Sequence, residues 1–138
     1  MPKFGTTSKL RLTTCHADIR AVMQEAVKVI DIKIIAGRRN EEQQTAAFEA
    51  GNSQVEWPDS THNTDPSEGV DVAPYPIAWN DRERFTLMAG VIMGIAHTMG
   101  IVLRWGGDWD RDTEVKDNKF DDLGHFELVL PLDLESKV

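Results

Sequence analysis

The chain lacks nearly every special device that could stabilise or address it. Cys15 is the only cysteine among 138 residues, so no disulfide can form within the chain and a packed core must hold it together. The first eight residues, Met1-Pro2-Lys3-Phe4-Gly5-Thr6-Thr7-Ser8, have no apolar centre of the signal-peptide kind. No stretch approaches the roughly 20 apolar residues that cross a bilayer, and no polybasic or lipidation signal is present. These absences predict a cytoplasmic monomer without stable membrane association. Positive charge is also scarce, with 15 Lys and Arg against 23 Asp and Glu and a formal charge of −8. The basic residues are scattered, which argues against a nucleic-acid partner, because binding to a phosphate backbone relies on clustered Lys and Arg. Internal repeats and low-complexity runs are missing too.

What remains is an ordinary globular composition, 41% hydrophobic and 28% charged. It predicts a single domain over residues 1–138, with its core from about residue 10 to 132. Ile19, Val22, Met23, Ala26, Val27 and Ile30 recur at helical steps between His16 and Ile30, with Thr13 or Thr14 as cap. Ile32 to Ala36 reads as a strand. Asn40 with Gln43 resembles a capping pair that opens a second helix through Glu49, stopped by Gly51. Asn52 to Asn80 is mostly loop, apart from a strand at Val70 to Ala73. Asn80 or Asp81 caps a third helix with Phe85, Met88, Val91, Ile92, Ile95, Ala96 and Met99 inward and Gly100 at its end. Ile101 to Trp105 and His125 to Leu130 complete an α+β domain of three helices on a mainly antiparallel sheet.

Two segments carry candidate chemistry, Ser60 to Pro74 and Asp121 to Leu128. A catalytic zinc takes three protein ligands and keeps one position open for water. His62, Asp71 and His125 could be those ligands, with Asp122 as the base that takes the water's proton. Alternation along a strand turns Asp71 away from Val70 and Val72, and puts His125 and Glu127 on one face. If the two strands are neighbours, Asp71 and His125 converge and His62 arrives from the preceding loop.

The order Ser60-x-His62, then Val70-Asp71-Val72-Ala73-Pro74-Tyr75-Pro76, Gly106-Gly107-Asp108-Trp109 and Asp122-x-x-His125-Phe126-Glu127 resembles the zinc D-Ala-D-Ala carboxypeptidase group. That group includes the L-alanyl-D-glutamate endopeptidases that tailed phages use as endolysins. The resemblance runs from about Ile34 to Val129 and implies the D-Ala-D-Ala peptidase, or hedgehog-like, fold. It implies zinc on His62, Asp71 and His125, and Asp122 as general base where many members have Glu. A Gly-x-Arg-Thr segment of the family reads Gly37-Arg38-Arg39-Asn40 here, which makes Arg39 the stabiliser of the developing oxyanion. Asp71 follows His62 by nine residues, whereas many members have seven; the extra length lies in Asn63 to Ser67 and is expected to reshape the groove.

The resemblance thus implies a zinc-dependent peptidoglycan peptidase, an endolysin cutting the L-Ala-D-Glu bond of the stem peptide once the membrane has been permeabilised. The short stretch after His125 is expected to leave no room for a wall-binding module. Rival readings are a D,D-carboxypeptidase or dipeptidase and a non-catalytic module that retains zinc. Calcium is carried as a second candidate ion, because Asp108, Asp110, Asp112 and Glu114 alternate like calcium-loop ligands, though the central glycine is missing. Glu127 is a candidate support for a ligand histidine, and Asp121 the alternative base. Trp57, Trp79, Trp105 and Trp109 read as core or groove rim. Cys15, His16 and His97 read as structural, with Cys15 half-buried.

Overall fold

The valines of the Asp71 strand decide which way the sheet faces. In a computed structural model that describes residues 2–114 and 122–129, Val70 and Val72 are fully buried while Asp71 between them is not. Helix α1 (Thr6–Leu12) and α2 (Ala17–Ala26) precede strand β1 (Ile32–Ala36), followed by α3 (Glu41–Glu49) and a 3-10 turn (Thr61–Asn63). Strand β2 (Gly69–Pro74), helix α4 (Arg82–Thr98), β3 (Leu103–Gly106) and β4 (Asp122–Leu128) complete the order. The four strands run β1-β2-β4-β3, every pair antiparallel, so β2 and β4 are central. Among the described residues no helix is long and apolar enough to cross a membrane.

One face of the sheet carries the core. Ile32, Ile34, Val72, Leu103 and Phe126 meet Ile19, Val22 and Met23 of α2 and Phe85, Met88 and Ile92 of α4 there, all at most 2% exposed. Burying each such side chain is worth about 1.5–3 kcal/mol. Val91 and Ile95 are only half-buried and Met99 is 40% exposed, so the inward stripe of α4 is narrower than its apolar composition suggests. Asp81 is its cap, accepting from the Arg84 amide, and Gly100 at φ +72° ends it in a conformation that favours glycine. Asn40 and Gln43 form the expected capping box on α3. On α2, in contrast, the cap is the His16 imidazole, which accepts from the Asp18 amide; Thr13 instead closes the preceding helix.

The described residues contain four helices where the sequence predicted three. The extra one, α1, buries just Ser8 and Leu12 and has no apolar stripe to announce it. Apart from Leu12, which joins the core, its contacts to the sheet are polar. Ser8 Oγ accepts from the Ile34 amide at 3.1 Å, and Arg11 Nη1 donates to the Ile34 carbonyl at 3.0 Å. Ile34 lies on an edge strand, so α1 satisfies backbone groups that would otherwise invite another strand. Ser8→Ala should therefore cost about 1–3 kcal/mol by leaving a buried amide unpaired. Urea unfolding checks this; an unchanged midpoint would contradict the edge-capping role.

Candidate metal centre and its cleft

The face of the sheet opposite the core carries the site. Asp71 and His125 are direct partners in the β2–β4 ladder, so alternation brings both side chains out side by side. His62 reaches them from the 3-10 turn, whose cap Ser60 accepts from the His62 amide at 3.1 Å. Its carbonyl accepts from the Arg39 amide at 2.7 Å, tying the turn to the segment after β1. Asp71 Oδ1 lies 3.1 Å from His62 Nε2 and 3.0 Å from His125 Nδ1, and the two nitrogens are 3.2 Å apart.

The outer atoms of the two rings fix what faces inward. His62 Nδ1 is 2.7 Å from the Gly37 carbonyl, which can only accept, so this nitrogen holds the proton. His125 Nε2 is 2.8 Å from Glu127 Oε1 and donates to it by the same logic. In the neutral rings, therefore, two bare nitrogens and one carboxylate oxygen point at each other with no proton between them. Burial alone would raise the Asp71 carboxyl, but bonding to His125 and His62 outweighs it and holds the group well below the usual carboxylate range. Burial would lower His125, yet Asp71 and Glu127 prevail and raise it to about 9. Both shifts express a demand for positive charge at one point. A divalent cation meets it, and tetrahedral zinc with bonds near 2.0–2.1 Å sets its ligand atoms about 3.3 Å apart, close to the spacing observed. The donor set fits the ion.

A second layer holds these ligands. Arg39 Nη2 donates to Asp71 Oδ2 at 2.9 Å and its Nη1 to Gln44 at 3.3 Å. Glu127 Oε2 accepts from Arg104 Nη2 at 2.7 Å, completing an arginine–carboxylate–histidine chain. Thr61 Oγ1 sits within 3.5 Å of both His125 Nε2 and Glu127 Oε1. Gly69 has no Cβ because one would run into Thr61 and crowd the His125 ring. Thr61 and Arg104 are contributions that sequence reasoning missed. The signal for Arg104 was its place between inward Leu103 and Trp105, but that means little until β3 is known to lie against β4.

Asp122 opens β4 opposite Gly106, at a register shift relative to the Trp105–Phe126 pair. Gly106 permits the close approach, since a side chain there would strike the Asp122 backbone. Burial and then the Asp71 charge push the Asp122 carboxyl upward. Asp121 lies outside the described residues. Asp122, Arg39, His62 and His125 line a cleft of about 740 Å³, and Asp122 also borders a 300 Å³ hollow beside Asp71 and Trp79. The loop that lengthens the His62–Asp71 interval does not line this cleft. It is tied back to the α1–α2 junction, with Ser67 bonding Thr14 and His16, so the expected reshaping of the groove is corrected.

The other candidates divide. Trp109 lines the cleft with its ring 5.8 Å from His125, Trp79 stacks on Phe85, and Trp105 is buried with Nε1 donating to the Leu123 carbonyl. Trp57 lines a small hollow beside Phe48. Oxygens of Asp108, Asp110 and Asp112 do gather. They accept backbone amides from Asp112, Thr113 and Glu114, which accounts for the turn without an ion. Cys15 is fully buried, more than expected, and burial raises its thiol to about 11, which disfavours the thiolate. His97 is exposed.

A zinc ion bound at this point would have to displace the proton that His125 holds in the metal-free protein. Its affinity should rise about tenfold per pH unit through neutrality and level off above the His125 value of about 9. Chelator competition between pH 6 and 9 measures this; a flat profile would contradict the assignment.

Comparison with known proteins shows the family of the chain. The family model for phage L-alanyl-D-glutamate peptidases matches residues 1–129. The L-alanyl-D-glutamate peptidase of Escherichia phage T5 is 33% identical over 137 residues, covering 92% of this chain and 98% of that protein. The crystal structure of the L-Ala D-Glu endopeptidase ChiX of Serratia marcescens superposes with a TM-score of 0.73 at 25% identity, covering 92% of this chain and 90% of its own. The chain belongs to the phage L-alanyl-D-glutamate peptidase family.

Proposed function

We propose that the protein is a zinc-dependent endolysin that hydrolyses the L-Ala-D-Glu bond of the peptidoglycan stem peptide. The observation that carries this reading is the convergence of His62, Asp71 and His125 on one point beside Asp122 and Arg39 at the floor of a cleft. His62 Nε2, Asp71 Oδ1 and His125 Nδ1 would hold the metal. Zinc in such a site supplies Lewis acidity, making water acidic near neutrality and polarising a carbonyl.

The protein's own groups supply the rest. Asp122 accepts the proton of the attacking water and passes it to the departing amine, and its raised carboxyl suits a group that must both take and release a proton. Arg39 faces the same cleft and stabilises the oxygen that becomes negative, while its bond to Asp71 Oδ2 keeps that carboxylate turned toward the metal position. Glu127 and the Gly37 carbonyl hold the two imidazoles in the tautomers that coordination requires. Trp109 offers the peptide a flat apolar wall.

Both relatives named above are described as cutting between L-Ala and D-Glu, which favours that bond over a D,D-carboxypeptidase or dipeptidase action. A non-catalytic module would have no need of Asp122 and Arg39 beside the ligands. The working setting would be a cell whose membrane has already been opened.

Muropeptides digested with the zinc-loaded protein and analysed by mass spectrometry should yield fragments cut between L-Ala and D-Glu. Release of free D-Ala instead would overturn the substrate. Asp122→Asn should lower turnover by about 10²–10⁴ and Arg39→Ala by about 10²–10³, with zinc still bound to Asp122→Asn. Unchanged turnover in either would remove that residue from the mechanism.

A further inference from the structure

Two guanidinium groups line the cleft, and they are committed to different degrees. Arg39, beyond the β1 edge of the sheet, uses Nη2 on Asp71 and Nη1 on Gln44. Arg104, on β3 at the opposite edge, has Glu127 as its only hydrogen-bond partner among the described residues, through Nη2, and its side chain is 33% exposed. That Glu127 carboxylate is shared with His125, so its charge is divided between two donors. Its Nε is buried without a partner, so the donors Arg104 can offer the cleft are the remaining hydrogens of its two Nη groups.

The rest of the cleft makes such donors valuable. Asp59, Asp110, Asp122 and Glu127 also line it, so an anionic group on a peptide meets repulsion there unless a cation receives it. A glutamate residue carries two carboxyl groups and a linear chain consumes one, so a carboxylate always remains close to the amide formed by its amino group. The departing amine receives its proton from Asp122, which pairs with β3 at Gly106, on the Arg104 side of the site. The planar fork of a guanidinium matches a carboxylate in shape as well as charge.

Building on the proposed activity, we infer that Arg104 binds the free carboxylate of the residue on the leaving side of the scissile bond. It thereby makes the cleft selective for an acidic residue at that position. Its bond to Glu127 orients the guanidinium for this contact and links substrate recognition to the histidine that Glu127 holds.

The test compares two synthetic stem peptides containing L-Ala-D-Glu, identical except that the free glutamate carboxylate is a carboxamide in the second. The zinc-loaded wild type should favour the carboxylate peptide by about 10- to 100-fold in kcat/KM, expressed largely in KM. Arg104→Ala should abolish that preference and Arg104→Lys should restore part of it, even though both variants lose some activity on either peptide by loosening Glu127. A preference that survives in Arg104→Ala would overturn the inference and leave Arg104 acting through Glu127 alone. Equal cleavage of both peptides by the wild type would overturn it without recourse to any variant. Cleavage of neither peptide by the wild type would count against the proposed activity itself, and this inference would fall with it.

Discussion

Everything distinctive about this molecule depends on three electron pairs aimed at one point. His62 Nε2, His125 Nδ1 and Asp71 Oδ1 stand 3.0–3.2 Å apart, and the proton each ring could have offered is already committed outward. Without an ion, a second proton on His125 relieves the arrangement, which is why that imidazole is raised to about 9. The protein maintains the arrangement by holding each ligand from behind, with the Gly37 carbonyl on one ring, Glu127 on the other and Arg39 on the outer carboxylate oxygen. Such anchoring would keep the three atoms in place if an ion bound, as the proposed metal-assisted hydrolysis requires.

The sheet turns this local demand into a precise geometry. Asp71 and His125 come from the two central strands, the positions least able to shift because both neighbours are paired. The two arginines come from the periphery, one after β1 and one on β3, so the cleft carries a cation at each side of the ligand cluster. Even α1 serves the sheet, by occupying the backbone groups of Ile34 at an edge that would otherwise be open. The core on the far face fixes the register, since a one-residue slip would turn Val70, Val72 and Phe126 outward and the ligands inward.

Much of this was legible in the sequence for definable physical reasons. Alternation predicted that Asp71 would oppose its flanking valines and that His125 and Glu127 would share a face, and both hold. The α3 cap was legible because Asn40 and Gln43 are a reciprocal pair within four residues. What stayed hidden depended on polar or long-range contacts. Helix α1 packs through Ser8, Arg11 and a lone Leu12, which leave no periodic apolar trace. The α2 cap is an imidazole, a residue seldom read as one. Arg104 gained meaning only through its pairing with Glu127 across two strands, and the extra loop after His62 turned toward the α1–α2 junction through bonds to Thr14 and His16. The tryptophans were indistinguishable by type, and topology alone sent Trp109 to the cleft and Trp105 to the interior.

Anomalous diffraction at the zinc edge from crystals grown with the metal tests the central claim most directly. A single strong peak should lie between His62 Nε2, Asp71 Oδ1 and His125 Nδ1. A peak confined to the Asp108–Asp112 turn, or density in which those three side chains point away from a common centre, would contradict it.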